Sequence, residues 1–392
     1  MEKVVFLSAK RTPFGTFGGA LKTLSATDLG VVAAQAAVEA AGADVADYDH
    51  VAFGNVLQTS ADALYLARHV GLRAGLPERT PAITLNRLCG SGFQGVVTGA
   101  EQILTGQANL VLTGGAESMS QAPFVQRNSR WGTPLGRVPK VEDMLWESLM
   151  DTYCNTPMGV TAENIAEAYD ITQEEVDTFS LASQTRWADA DAAGHFDAEL
   201  APVTVKSRRG EKLFEKDEHP RPQTTIEGFA RLPKPFKRDG VIHPGAASGI
   251  CDGAGALVIS SGSYAEEKGL KPIAELVSWG VTGCDPKLMG LGPVESSRAA
   301  LAKAGLTLDD MDLIDINEAF APQVIGCCKA LGIDPARVNA CGGAIALGHP
   351  LAASGARITA HLIHALQRRG GGYALGTACI GGGQGIAVVV KV

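Results

Sequence analysis

Blocks of hydrophobic and polar positions succeed one another along the chain. Short runs rich in Val, Leu, Ile and Phe predict strands at 4–9, 50–56 and 108–114. Ala-rich stretches with apolar residues at helical spacing predict helices at 27–41 and 92–105. Because Gly-rich turns join these alternating strands and helices, the pattern predicts an α/β fold built from stacked β-α units.

The second part of the chain repeats the first at one fixed interval. Pairs of landmarks in matching predicted elements are separated by 263 residues each: Gly42 and Gly305, Asp49 and Asp312, Ser91 and Ser354, and Gly92 and Gly355. Three coincident landmarks (a helix end, a strand start and a Ser-Gly helix start) are difficult to obtain by chance. We interpret them as a duplication, and we expect equivalent loops of the two halves to meet at one place.

Composition narrows the class of protein. The 392 residues have a formal net charge of −8, which argues against a general nucleic-acid binder, and no apolar run approaches the roughly 18 residues of a membrane span. The 8 cysteines form no C-x-x-C pair, so neither a disulfide framework nor a zinc site is expected. The N-terminal stretch has neither the apolar core of a signal peptide nor the Arg- and Ser-rich helix of a transit peptide, so we expect a cytoplasmic protein.

A different kind of sequence separates the two halves. It includes a segment at 161–193 that we predict to be helical, followed by a charged tract at 206–238 with 10 Lys and Arg against 5 Asp and Glu. The tract is consistent with a solvated loop face. The alternative is a binding surface for a polyanionic small molecule, because Arg and Lys pair with phosphate, although the tract alone is weak support for it.

Cys89 is the first candidate for chemistry. It lies in LNRLCGSGFQG, between a predicted strand and the helix that begins near Gly92. A thiol at a helix N-terminus has a stabilised thiolate and suits nucleophilic catalysis, although a buried structural thiol is the alternative. Gly90, Gly92 and Gly95 also spell the dinucleotide fingerprint, but no second strand ending in Asp or Glu follows at the required distance.

Three further positions are candidates for the same chemistry. His349 precedes the second Ser-Gly pair and could act as a base for a thiol, or be structural. Cys379 precedes the Gly run that starts at Gly381, whose N–H groups could bind an oxyanion. Asn317 stands at a strand-to-helix junction, where it could hold a water or cap the helix.

Seven blocks of the sequence resemble the thiolase family, which makes or cleaves 3-ketoacyl-CoA thioesters. They occur in the family's order: NRLCGSGFQ (86–94), GGAESMSQAP (114–123), MGVTAENIA (158–166), GAASG (245–249), NEAFAPQ (317–323), GGAIALGHP (342–350) and CIGGGQG (379–385). Together with RPQTT (221–225), they are most similar to the mitochondrial type within that family.

The resemblance implies the thiolase fold. Two duplicated β-α-β-α-β-α-β-β halves would pack in five α-β-α-β-α layers, with an inserted loop domain that binds CoA. We assign 1–118 and 249–271 to the N-terminal half, 119–248 to the insertion and 272–392 to the C-terminal half. The resemblance also implies a homodimer or homotetramer that acts on acyl-CoA, with coenzyme A and acetyl-CoA as substrates and no prosthetic group, metal, nucleic-acid or membrane partner.

The resemblance also assigns roles to residues. Cys89 would attack a thioester with His349 as its base, and Cys379 would move the α-proton of acetyl-CoA. One oxyanion hole would combine His349 with a water held by Asn317, and the other would use the N–H groups of Cys89 and Gly381. Positions similar to the family's CoA contacts, with the first at the nucleotide end, are Arg221, Phe236, Ala247, Ser248, Met289, Phe320 and Met158.

The activity implied is that of an acyltransferase interconverting two acetyl-CoA with acetoacetyl-CoA and CoA, with cleavage of longer 3-ketoacyl-CoA as the alternative. A decarboxylating ketosynthase would need a second His in place of Cys379. A catalytically silent acyl-CoA or lipid carrier would be expected to lack one of Cys89, His349 and Cys379, and all three are present.

Four positions depart from the family pattern. Ala352 stands where Gly is usual, which would cost about 1 kcal/mol if that position required a positive φ. Cys341 stands where Asn commonly precedes the Gly-Gly pair, and Cys251 is also unusual. Pro157 replaces a His often seen in acetoacetyl-CoA thiolases, which leaves the acyl pocket open to interpretation.

Overall fold

The structure is a computed structural model that describes residues 2–208 and 210–392. Arg209, one of the cations of the charged tract, lies outside the described residues. Within the described ranges, no helix combines the length and apolarity required to cross a bilayer.

The strands are β1 (Val4–Arg11), β2 (Gly15–Thr16), β3 (His50–Gly54), β4 (Ala82–Leu85), β5 (Leu110–Ser118), β6 (Phe124–Val125), β7 (Glu142–Asp143), β8 (Met150–Asp151), β9 (Thr156–Pro157), β10 (Val203–Ser207), β11 (Gly210–Phe214), β12 (Cys251–Ser261), β13 (Ala274–Gly283), β14 (Leu313–Ile316), β15 (Tyr373–Ile380) and β16 (Gln384–Lys391). The α-helices are α1 (Ala26–Ala41), α2 (Leu66–Arg73), α3 (Ser91–Leu104), α4 (Met144–Ser148), α5 (Met158–Ala168), α6 (Gln173–Ala192), α7 (Ile226–Phe229), α8 (Gly262–Glu267), α9 (Gly292–Ala304), α10 (Ala321–Leu331), α11 (Ala344–Leu347) and α12 (Leu351–Arg369).

One large mixed sheet joins the two halves. Its strand order is β14-β15-β16-β13-β1-β12-β5-β3-β4, with β2 attached to β12. The halves meet where β1 pairs antiparallel with β13, with Val4 opposite Leu276. The pairs β3–β4, β3–β5 and β14–β15 are parallel, as expected for strands connected through helices.

The duplication is visible at the level of single hydrogen bonds. Asp49 donates its N–H to the carbonyl of Leu110 and accepts the N–H of Leu110 on its carboxylate. Asp312 makes the same two bonds with Tyr373, and both residues lie 263 positions after their counterparts. In the first half β4 pairs with β3, whereas the corresponding position beside β14 in the second half has only a parallel bridge between Ile314 and Val338.

Three hydrophobic clusters define the layers. The first joins α1 to β1, β3, β5 and β12, and the third joins α9 and α10 to β14, β15 and β16. Between them, a cluster around α3 and α12 contains strands of both halves, so the five-layer arrangement expected from the resemblance is confirmed. Gly92 and Gly355 allow the central helices to approach closely, because a Cβ on either would meet the other helix's backbone.

The named strands at 119–248 are not part of the large sheet, although Leu200 forms an isolated parallel bridge with Arg11 of β1. These strands, as far as the structure describes them, form three separate two-stranded sheets, β6–β7, β8–β9 and β10–β11. This is consistent with an inserted unit, and the boundaries given for the three units stay a prediction.

The segment predicted to be helical at 161–193 contains two helices, α5 and α6, with a break between them that the prediction did not include. Asp170 adopts a left-handed φ of 48°. The Thr172 hydroxyl then accepts the N–H of Glu175, and the Glu175 carboxylate accepts the N–H of Thr172. The two bonds form a capping box that starts α6. The T-x-x-E signal for this start is present in the sequence.

The strain considered at Ala352 is also absent. Ala352 lies in the first turn of α12, and it is not among the described residues with a positive φ. Its N–H donates to Glu117 at 3.1 Å. The substitution of Ala for Gly therefore suits a helix rather than disturbing a turn.

Candidate active site

Cys89 lies in a tight turn between β4 and α3. Asn86 Oδ1 accepts the N–H of Leu88 at 2.9 Å, and Ser91 Oγ donates to the carbonyl of Leu88 at 2.7 Å. Leu88 has a φ of 45°, an unfavourable backbone conformation for a non-Gly residue. Local hydrogen bonds thus hold a strained turn that presents the half-buried thiol ahead of the helix.

The thiolate of Cys89 is not stabilised in the free site, so that expectation is wrong. Burial raises the pKa of Cys89 to about 11, although N–H groups of Gly381 and Cys89 itself act in the opposite direction. The charge of Glu117 raises it further. A thiol in this state needs a base before it can act as a nucleophile.

His349 is a neutral imidazole with a defined orientation. Burial and then the Arg357 cation lower the pKa of His349 to about 3. Its Nδ1 lies 2.6 Å from Ser354 Oγ, which donates to the carbonyl of Pro350, and its Nε2 lies 3.3 Å from Asn317 Nδ2. From these partners we assign the proton to Nδ1 and the lone pair to Nε2, the form that a base requires.

Cys379 and Asn317 come to the same place from the ends of neighbouring strands. Cys379 is buried near the end of β15, and its pKa is raised by burial and by its proximity to Cys89. Asn317 follows β14, and its Oδ1 is buried without a partner in the described structure. Gly381 follows β15 and directs its N–H to Cys89.

A cavity of about 490 Å³ leads to His349. Its walls include five of the residues predicted to contact CoA: Met158, Phe236, Ala247, Ser248 and Phe320. The rings of Phe236 and Phe320 meet edge to face with centroids 5.9 Å apart. The remaining wall is mainly apolar, with Met119, Trp146, Leu149, Met150, Pro157, Ile250 and Leu351.

Two predicted contact residues lie elsewhere. Met289 is buried behind the cavity and packs with Cys379, so it supports the site rather than lining it. Arg221 is exposed, and its N–H donates to Gln184 Oε1 at 2.8 Å.

Glu117 is a component that sequence reasoning missed. It is fully buried and accepts N–H groups from Val56, Leu57 and Ala352 as well as the Asn55 amide. Burial raises its pKa to about 7. The GGAESMS block contained the signal, since a Glu in an otherwise apolar and small-residue run needs buried partners. Across residues 2–208 and 210–392, no group of three His, Cys, Asp or Glu side chains could hold a metal.

Comparison with known proteins decides the family. The model of the thiolase N-terminal domain matches residues 4–263, and that of the thiolase C-terminal domain matches residues 270–392. The chain belongs to the thiolase family. This thiolase is therefore an acyltransferase, and it is 54% identical to the mitochondrial 3-ketoacyl-CoA thiolase of Bos taurus, over 100% of this chain and 98% of that protein.

Other relatives match the chain with similar coverage. The crystal structure of human mitochondrial 3-ketoacyl-CoA thiolase in complex with CoA has 53% identity and a TM-score of 0.97, covering 100% of this chain and 98% of that chain. An acetyl-CoA acetyltransferase of Syntrophomonas wolfei is 44% identical over 100% of this chain and 99% of that protein. The expectation of a cytoplasmic thiolase is wrong, because the mammalian relatives at 53–54% identity are mitochondrial proteins.

Proposed function

We propose that this thiolase cleaves and forms 3-ketoacyl-CoA through an acyl group on Cys89. His349 takes the proton of Cys89, and the sulfur attacks the 3-keto carbon. The C2–C3 bond breaks, and Cys379 protonates the carbanion to give acetyl-CoA. The thiol of CoA then accepts the acyl group from Cys89.

The observation that supports this proposal is that the Cys89 turn meets the loop of Cys379 and Gly381 and packs beside Leu351, two residues after His349. Cys89 receives the N–H of Gly381 and lies close enough to Cys379 to raise that residue's pKa. A neutral His349, with the lone pair on Nε2 beside Asn317, supplies the base. Once Nε2 has taken the proton of Cys89, its N–H and a water held by Asn317 can both donate to an oxyanion.

We further propose that acyl chains longer than acetoacetyl enter the apolar part of the cavity. Met119, Leu149, Met150 and Leu351 line it beside His349, and such walls bind methylene groups. The names of the mammalian relatives agree with this range, whereas the name of the Syntrophomonas relative favours acetyl transfer.

An assay of CoA-dependent cleavage of 3-ketoacyl-CoA esters from C4 to C16 tests both the catalytic proposal and the proposal on chain length. Loss of enolate absorbance measures the cleavage. Cleavage that extends beyond C4, and that Met150→Trp suppresses for long chains while sparing C4, supports the broad range. Activity confined to C4 limits the enzyme to acetoacetyl-CoA. Absence of cleavage at every length rejects the catalytic proposal.

Arg221 is proposed to contact the phosphates at the nucleotide end of CoA. It is exposed, and its backbone bond to Gln184 fixes this segment near the 342–350 block, where His219 Nδ1 lies 2.8 Å from the carbonyl of Ala346. Arg221→Ala should raise the KM for CoA several-fold and weaken its salt dependence. Arg231→Ala, an exposed cation in the same tract, is the control, and equal KM values for the two variants would remove Arg221 from the CoA site.

A homodimer or homotetramer is proposed for the assembly. Strand β4 is at one end of the sheet order, and its Ile83 is 44% exposed, so an edge with an apolar side chain is available for pairing. Ile83→Lys should lower the mass seen in sedimentation equilibrium, whereas Ile226→Lys, at 40% exposure, should not. A wild-type monomer would reject the proposal.

A further inference from the structure

A buried histidine lies behind one wall of the catalytic cavity. Residues 247–250 all line the cavity, and His243 stands four positions before the first of them. The His243 side chain is 2% exposed and is not among those that line the cavity. Any effect of His243 on the cavity must therefore pass through the chain that follows it.

The hydrogen bonds of His243 define which ring nitrogen carries the proton. Nδ1 accepts the N–H of Gly245 at 3.1 Å, and Nε2 lies 2.8 Å from Oδ1 of Asp177 on α6. Because a backbone N–H can only donate, Nδ1 presents its lone pair, and we assign the proton to Nε2, which donates it to Asp177. The contact with Gly245 caps the 3₁₀ turn Pro244–Ala246, the last turn before the cavity wall.

Packing holds the ring in this orientation. Phe229 on α7 stacks against it, with ring centroids 4.7 Å apart. Asp177 Oδ1 also accepts the amide of Gln173 at 2.7 Å, so the carboxylate that receives the Nε2 proton is itself held. Gly245 fits closely against both rings, because a Cβ there would lie 2.6 Å from Phe229 and 3.2 Å from His243. The turn, the two rings and the carboxylate therefore pack as one unit.

The chain on either side of the turn is attached to different parts of the molecule. Before the turn, the buried Glu163 carboxylate on α5 accepts the N–H groups of Val241 and Ile242, each at 2.9 Å. After the turn, Ser248 donates its N–H to the carbonyl of Ala319 at 3.0 Å. The turn thus connects α5 to the second half of the fold.

The same stretch reaches the catalytic base. Gly249 accepts the N–H of His349 at 2.9 Å. In the part of the chain that the structure describes, the hydrogen bond between His243 and Gly245 is the only one from a side chain to the backbone of 244–248. One imidazole nitrogen thus fixes the turn from which the cavity wall extends.

We propose that His243 is a positioning residue for CoA, an inference that rests on the CoA chemistry proposed above. The lone pair of Nδ1 holds the turn at Gly245, and the turn places Ala247 and Ser248 against bound CoA. Because a preformed wall does not have to be ordered on binding, loss of this acceptor weakens the affinity for CoA. Acylation of Cys89 is unaffected once the site is saturated, because His243 touches neither reacting group.

Two substitutions that each retain one part of the imidazole's hydrogen bonding test the proposal. His243→Asn places an oxygen near the position of Nδ1, where it can accept the N–H of Gly245 as a capping side chain does. His243→Gln places its amide near the position of Nε2 and leaves Gly245 without that acceptor. Both variants lose the ring that stacks on Phe229, so a general loosening of the site affects them alike.

Isothermal titration of CoA into the full-length enzyme measures the dissociation constant. The Kd of His243→Gln should exceed that of His243→Asn by about fivefold or more, a ratio within the usual net contribution of one hydrogen bond. A smaller ratio overturns the proposal. His69→Gln, a change at a partly exposed histidine on α2, is the control and should bind CoA as the wild type does.

A kinetic comparison separates this role from a general defect. At saturating acetyl-CoA, His243→Gln should acylate Cys89 at a rate within about threefold of the wild type. A larger fall would place the effect on the chemical step and overturn the proposal. Should His243→Gln or His243→Asn not fold, His243→Ala or His243→Ser respectively takes its place, since Ser also caps such a turn.

The catalytic proposal and the proposal on His243 fail in different ways. A wild type that binds CoA but cleaves no 3-ketoacyl-CoA rejects the catalytic proposal, and the ratio of Kd values still decides the role of His243. Equal Kd values for His243→Gln and His243→Asn, with an active wild type, reject the role of His243 alone. A wild type that does not bind CoA rejects both.

Discussion

In the first half of the duplicated fold the loop before α3 carries Cys89, and in the second half the loop before α12 carries His349. Both helices begin at the centre of the molecule, where Gly92 and Gly355 bring them together. The side chains differ at every reactive position. Residues paired at the interval of 263 are Gly54 with Asn317, Asn86 with His349, Cys89 with Ala352, and Ala116 with Cys379.

This difference teaches how the site arises. The repeated backbone brings equivalent loops to one place, while each half retains an unreactive residue where the other has a functional one. The first half has a strained turn at Leu88 that presents a thiol, and the second half begins its helix earlier and buries Ala352 there. Neither half contains a complete set, so the chemistry belongs to their interface.

Replacing Cys89 with its counterpart gives the largest expected effect. Cys89→Ala should abolish the acyl-enzyme, because no second thiol can replace the nucleophile at that turn. Intact-mass spectrometry after incubation with acetyl-CoA measures the adduct, and Cys154→Ala is the control. An undiminished acetyl adduct in Cys89→Ala would assign the nucleophile to another residue.

Replacing Cys379 on β15 with the Ala of its counterpart should separate acylation from proton transfer. Cys379→Ala should still form the acyl-enzyme on Cys89 but fail to exchange the α-proton of acetyl-CoA with deuterated water. The reason is that Cys379 is the thiol proposed to move that proton, while acylation needs only Cys89 and His349. Normal exchange in this variant would remove Cys379 from its proposed role.

The counterpart exchange at the base is expected to slow acylation. His349→Asn should lower the acylation rate by about 10² to 10⁴-fold, the usual contribution of a positioned base. The partly exposed His69, changed to Asn, is the control. A rate within threefold of wild type for His349→Asn would exclude the base assignment.

His349→Asn should also change the dependence of stability on pH. The folded-state pKa of His349, about 3, lies below its unfolded value of about 6.5, so the unfolded chain binds the extra proton between these values. The wild type should therefore lose stability relative to the variant as pH falls below about 6.5. Urea unfolding from pH 7 to 4.5 measures the free energy of unfolding of both proteins. The same pH dependence in the wild type and the variant would contradict a buried neutral imidazole.

Glu117 is a polar residue of the first half whose counterpart in the second half, 263 residues later, is the apolar Ile380. Glu117→Gln should reduce the free energy of unfolding by about 1–3 kcal/mol, since an amide cannot satisfy all the buried donors around the carboxylate. Loss of its charge should also shift the pH profile of acylation to lower pH, because that charge raises the pKa of Cys89. An unchanged pH profile of acylation would mean that the charge of Glu117 does not act on the Cys89 thiol.

Much of this arrangement could be predicted from the sequence, and the rest depended on packing. The interval of 263 residues identified the paired halves, and the family blocks identified Cys89, His349, Cys379 and Asn317 as neighbours. Local sequence could not give the raised pKa of Cys89, because desolvation comes from distant segments packing over the turn. Nor could it place Arg221, whose segment contacts the second half through His219 and Ala346. The burial of Met289 against Cys379 likewise depends on tertiary packing.

The smallest expected effect concerns Ala352, where the family pattern favours Gly. Because Ala352 lies buried inside α12, Ala352→Gly should lower the free energy of unfolding by about 0.5–1 kcal/mol through backbone entropy alone, with a small addition for the lost methyl group. Acylation of Cys89 should be unchanged, because Gly retains the N–H that donates to Glu117. Denaturant unfolding measures the first effect and intact-mass kinetics the second. A stabilised variant would mean that residue 352 belongs to a turn like that of Leu88, and the contrast between the two halves would be lost.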